Sequence, residues 1–74
     1  MEIFPNPFSD FMQINANTDI DEIELFTSSG KLVYKNLKSN SGSIHIPTAD
    51  LAVGQYLLRL KSGSKELIRK VVKQ

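Results

Sequence analysis

Apolar and polar residues change places at almost every step along this chain, and a period of two admits half-buried strands and little else. Met12, Ile14 and Ala16 alternate with Phe11, Gln13 and Asn15, and Ile23, Leu25 and Thr27 alternate with Glu22, Glu24 and Phe26. Tyr56, Leu58 and Leu60 alternate with Leu57 and Arg59, and Ile44 and Ile46 flank His45. No window repeats apolar residues at i, i+3, i+4 and i+7 for long enough to form a helix. Turn residues fall at Ser28-Ser29-Gly30, Asn40-Ser41-Gly42, Ala52-Val53-Gly54 and Ser62-Gly63-Ser64, the spacing of about 8–12 residues that marks an antiparallel sandwich.

The strands predicted are 9–16, 21–27, 31–36, 43–47, 55–62 and 65–73, with a short edge piece near Glu2–Phe4. The fold class is therefore all-β, a small immunoglobulin-like antiparallel β-sandwich of six to seven strands. Short loops pair 21–27 with 31–36 and 55–62 with 65–73 as hairpins, and the longer connections at 37–42 and 48–54 are expected to cross between sheets. With 74 residues the chain is read as one domain, 1–74, whose core supplies a net stability of only about 3–5 kcal/mol.

Nine Lys and Arg against eight Asp and Glu leave a net charge of +1. That balance removes bulk electrostatic capture of nucleic acid or an anionic membrane, so a partner must be recognised locally. The absence of cysteine excludes a zinc ribbon and leaves the redox compartment open. The opening Met-Glu-Ile-Phe-Pro-Asn-Pro lacks the basic and long apolar regions of a signal peptide, so export requires a longer precursor carrying its own signal.

Enzymatic chemistry finds little footing. His45 is the only imidazole and its strand position points it to solvent, and no serine has a recognisable base partner. Asp19, Asp21, Glu22 and Glu24 offer the hard oxygen ligands calcium requires, yet the glycine and spacing of a dedicated loop are missing, and a solvated acidic strand edge explains them better. No cofactor, metal site or small-molecule substrate is expected.

Four local features remain. Pro5-Asn6-Pro7 before Phe8 fixes two φ angles and removes two donors, which reads as a stiff extended elbow, or as a simple turn that keeps an edge strand from pairing. Gly30, ahead of Lys31, Leu32 and Val33, stands where a three-residue hairpin loop needs a left-handed residue, so a type I turn closed by a G1 bulge is expected. Leu51-Ala52-Val53-Gly54-Gln55-Tyr56 places a leucine to plug the sandwich end and a tyrosine whose hydroxyl reaches a backbone group. Lys70-Val71-Val72-Lys73-Gln74 is either an edge guarded by lysines or a strand presented to a receptor, with Lys70 and Lys73 meeting its acidic groups.

In this order and spacing the four features closely resemble the C-terminal sorting domain, type A, of the type IX (Por) secretion system, over essentially the whole chain. The matching residues are Pro5, Asn6 and Pro7; Gly30, Lys31 and Val33; Leu51, Gly54 and Tyr56; and Lys70, Val71, Val72 and Lys73. Phe4 replaces a tyrosine common in the family, and Thr27-Ser28-Ser29 replaces an acidic-then-apolar approach to the glycine.

The resemblance implies a secretion signal at the tail of a larger exported protein of a Gram-negative bacterium. The passenger, N-terminal to it, would pass through the periplasm and be directed by translocon and shuttle proteins across the outer membrane. A surface sortase-like peptidase would then cut near or before Met1, leaving the passenger at the cell surface or released. The competing reading is an immunoglobulin- or fibronectin-like accessory module that binds carbohydrate or matrix. Phe4, Phe8 and Phe11 would be its aromatic patch, although a chain this short is expected to use them to cover the sandwich base. Phe26, on the opposite face of its strand, has no evident place in either reading.

Overall fold

The computed structural model describes residues 2–74. Seven strands form: β1 (Glu2–Phe4), β2 (Phe11–Ala16), β3 (Ile20–Thr27), β4 (Leu32–Ser39), β5 (Gly42–Pro47), β6 (Gly54–Ser62) and β7 (Lys65–Lys73). They make two antiparallel sheets, one ordered β1-β2-β5 and the other β4-β3-β6-β7. Among the described residues there is no helix. The all-β sandwich expected from the alternation is the fold.

The inward residues of the two sheets meet in one core. Met12, Ile14, Ile44 and Ile46 from the smaller sheet face Ile23, Leu25, Leu58, Leu60 and Val71 from the larger, and Ile3, Val33, Tyr34, Leu51 and Leu67 close its margins. Both expected hairpins form, β3 with β4 and β6 with β7. The second turns on Gly63 and Ser64, with Gly63 at a φ of 60°, the left-handed first position that a tight two-residue turn favours in glycine.

Three differences from the sequence reading have physical causes. β4 runs on to Ser39, because Ile20, Glu22 and Ile23 of β3 supply partners as far as Ser39, Leu37 and Asn36. The crossing to the smaller sheet is thereby confined to Asn40 and Ser41. A further crossing, between β2 and β3 at 17–19, had no signal in loop length. Finally, the proline segment is not an extended elbow and does not keep its edge strand apart. Both of its X–Pro bonds are cis, the chain reverses there, and β1 pairs with β2 from Glu2↔Asn15 to Phe4↔Gln13.

Candidate functional site

Four segments far apart in sequence meet at one end of the sandwich. Register puts Thr27 of β3 opposite Tyr56 of β6, Tyr56 opposite Val71 of β7, and Gly54 opposite Lys73. Phe8, just past the prolines, forms a parallel bridge to Lys73. The proline turn, the Gly30 turn, the Leu51–Tyr56 segment and the last residues of β7 thus share one neighbourhood.

The proline turn is fastened to β7 by backbone groups. Phe8 N donates to Val72 O at 2.8 Å and Gln74 N donates to Phe8 O at 2.8 Å, while Val72 N donates to Asn6 Oδ1 at 3.2 Å. Phe8 itself is fully buried against Tyr56, with ring centroids 6.0 Å apart and tilted by 56°, a favourable aromatic arrangement. Pro5, Asn6 and Pro7 stay exposed.

Lys73 lies on the inner face of β7 with only 6% of its surface exposed. Its Nζ donates to the carbonyls of Thr48 at 2.5 Å, Ala49 at 3.1 Å and Leu51 at 2.6 Å. A buried ammonium is tolerable only when its three protons are matched in this way. Thr48 in turn holds the proline turn, donating from Oγ1 to Ser9 O at 2.9 Å and from N to Asp10 O at 3.0 Å. The expectation that Lys73 faces acidic groups of a receptor is therefore corrected: it is a latch that ties β7 to the 48–51 loop. Lys70 does face solvent. The end of the strand is likewise enclosed, with Val71 and Lys73 buried and Val72 half-buried.

The Leu51–Tyr56 segment behaves as its residues suggest. Leu51 is half-buried against the core, and the hydroxyl of buried Tyr56 donates to Ala52 O at 2.5 Å. Gly54 sits at a φ of 148° and Gly30 at 92°. A Cβ at either would meet nothing within 4 Å, so backbone conformation, not space, selects glycine.

At Gly30 its N donates to Thr27 O at 2.9 Å and Thr27 N donates to Lys31 O at 2.8 Å, the bonding of a β-turn closed by a bulge. A second irregularity follows, since Leu25 pairs Tyr34 but Phe26 pairs Leu32. Val33 is the extra residue and turns towards the core. Lys31 is exposed.

Phe26 finds its place on the outer face of the larger sheet, between Leu32 and Leu57 by register. Phe26 and Leu57, with Ser28, Gly30, Gln55 and Lys70, line a shallow apolar hollow. Of the three early phenylalanines only Phe8 covers the core. Phe4 and Phe11 are 38% and 39% exposed, because the alternation that turns Ile3 and Met12 towards the core turns them outward. Phe11 stacks on His45 at 5.0 Å.

Arg59 is the polar centre that sequence reading missed. Its guanidinium lies 3.2 Å from Glu22 and 2.8 Å from Glu66, and it also bonds Glu24, which Lys35 approaches at 3.8 Å. These hydrogen bonds, that of Glu24 foremost, raise the arginine pKa above its ordinary value. A raised pKa means that any stability the cation adds is fully present below that ordinary value and is lost only as pH climbs through the still higher folded one. The signal was cross-strand: Arg59 stands opposite Glu24 only once register is known.

The four carboxylates considered for calcium are separately engaged, Asp19 by Ser41 N at 2.8 Å and Asp21 by Gly63 N at 2.7 Å, with Glu22 and Glu24 on Arg59. Among the described residues no three His, Cys, Asp or Glu side chains are grouped to hold a metal. A hollow of about 560 Å³ opens at the opposite end, among Asn17, Thr18, Leu60, Ser62, Gly63 and Leu67, and none of the motif residues lines it.

Fold and site together describe a small β-sandwich whose distinctive residues organise one end of the molecule and assemble no reacting group. Residues 2–74 match the family described as the secretion system C-terminal sorting domain, and the chain belongs to that family, the sorting tails of type IX secretion. No curated protein matches the sequence. A family of sorting signals is not an enzyme class. Membership implies an attached passenger, handling by the secretion system, and export to the cell surface or release.

Proposed function

We propose that residues 1–74 form a single sorting domain at the C-terminal end of a larger exported protein, and that the folded end of its sandwich is the address read by the outer-membrane type IX translocon and its shuttle proteins. The passenger reaches the periplasm first, and a surface sortase-like peptidase then removes the domain. The position expected for that cut, near or before Met1, lies outside the described residues. The convergence of the four motif segments on one end carries this reading.

The motif residues divide into two roles. Gly30, Val33, Leu51, Gly54, Tyr56, Val71 and Lys73 build the end through turns, packing and the ammonium latch, while Pro5, Asn6, Pro7, Lys31 and Lys70 stand at its surface. Val72 lies between them, half-buried and held by Asn6 and Phe8. Fold and contact surface are then one requirement, since the surface exists only when the buried set is in place.

The test is a fusion of the chain to a periplasmic reporter in a type IX-competent strain. Full-length fusion is expected at the surface or in the medium, and deletion of Val71–Gln74 should trap it in the periplasm. Equal export of both would overturn the reading. Saturable binding to a glycan that survives the deletion, beside a failed export assay, would favour the accessory-module alternative.

A further inference from the structure

We propose that the outer edge of β7 from Glu66 to Lys70 accepts an added β-strand, and that its occupant is an extended acidic segment of the secretion machinery; the inference rests on the sorting role proposed above. In a strand, the N–H and C=O of one residue point to the same side and those of the next to the other. Val72 N, Val72 O and Gln74 N all point away from β6, towards Asn6 and Phe8. The same alternation aims the backbone groups of Glu66, Ile68 and Lys70 outward. Among the described residues no strand lies beyond β7 there, and all three residues are exposed.

The other edges suit pairing less well. β4 carries the bulge at Val33 and a left-handed Lys38 at a φ of 58°, β1 has three residues, and β5 ends in Pro47. Bulges, short length and proline are the usual obstacles to edge pairing. β7 instead pairs with β6 without a break from Lys65 to Lys73. Its outer side is covered only from Val72 onward, so the proline turn would stop an added strand at Asn6 and fix its register. Ile68, 51% exposed, would give the occupant an apolar contact beside the hydrogen bonds.

Charge selects the occupant. Lys65, Arg69 and Lys70 have no carboxylate within salt-bridge distance among the described residues, whereas Glu66 is already held by Arg59. The open edge is therefore basic. Two copies of this chain joined at β7 would bring like charges together, the usual device against self-association. An acidic strand would relieve that charge while main-chain bonds supplied affinity.

Ile68→Pro tests the edge directly. The N–H it removes points outward, so the ladder to β6 is left whole, while the ring obstructs a neighbouring strand. In the reporter fusion, export should fall about tenfold, as expected for a lost backbone bond and a blocked approach, with a melting curve close to that of the parent chain. If the parent fusion is not exported, the sorting reading fails. If the parent is exported and a folded Ile68→Pro is exported equally, strand addition is overturned. Should proline unfold the domain, Lys70→Glu decides, since wild-type export of that variant would exclude an acidic partner. A dimer of the purified chain that Ile68→Pro dissolves would place a second copy on the edge and overturn the proposed occupant.

Discussion

Replacing Lys73 with methionine separates a buried latch from a receptor contact. Methionine keeps the unbranched stem and nearly the same volume, so the packing change is small. What disappears is the ammonium that serves the carbonyls of Thr48, Ala49 and Leu51. Thr48 has no exposed surface, so its carbonyl loses a charged donor with no water to replace it, at about 1–3 kcal/mol. Ala49 is exposed and Leu51 half-buried, so their carbonyls regain solvent and lose less, about 0.5 kcal/mol each. Relief from burying the charge offsets part of this.

The net expectation is a loss of about 2–3 kcal/mol, a large share of the about 3–5 kcal/mol that so small a core supplies. In a domain of this size that lowers the melting temperature by about 10–20 °C. Far-UV circular dichroism melts, with urea titrations to check that the denaturant slope is unchanged, measure it. Lys70→Met, on the exposed face of the same strand, should stay within about 0.5 kcal/mol of the parent. If Lys73→Met melts with the parent chain, or if the two substitutions destabilise equally, the latch argument is refuted.

Other substitutions at this end follow from the same geometry. Tyr56→Phe removes only the hydroxyl bond to Ala52 O and should cost about 1 kcal/mol, read as a melting shift of about 4–8 °C. Gly30→Ala meets no neighbour, so its cost of about 1–2 kcal/mol comes from the left-handed backbone alone, and Gly30→Asn, which tolerates that conformation better, should recover part of it in the same urea titration. Phe8→Ala leaves a cavity between β7 and Tyr56 worth about 3–5 kcal/mol, comparable to the whole stability. Its amide NMR spectrum should collapse to the narrow dispersion of an unfolded chain, and a dispersed native spectrum would contradict the placement of Phe8 in the core.

The all-β fold was legible because alternation is local: a strand with one buried face writes its burial directly into every second residue, as Met12, Ile14 and Ala16 do. Turn chemistry is local too, so Gly30 and Gly63 announced their hairpins. The family resemblance depended on order and spacing, which are also properties of the chain alone. Yet those motifs carried no information about which side chains point inward, and Lys73 shows why. A lysine at the end of a Lys/Val strand looks like a solvent-facing guard until another loop supplies three carbonyls to match its protons.

Which strand edge is open depended on the same kind of non-local fact. Lys65–Lys73 reads as one uniform strand, but the proline turn, more than sixty residues earlier, covers its last residues and leaves Glu66–Lys70 bare. Arg59 likewise became the centre of three carboxylates only through the register of β3 and β7 against β6. Sequence by itself determined the alternating strands, the glycine turns of the two hairpins and the family. Tertiary structure decided which motif residues are buried supports and which remain for a partner, because burial of a charge and coverage of an edge are set by groups distant in the chain.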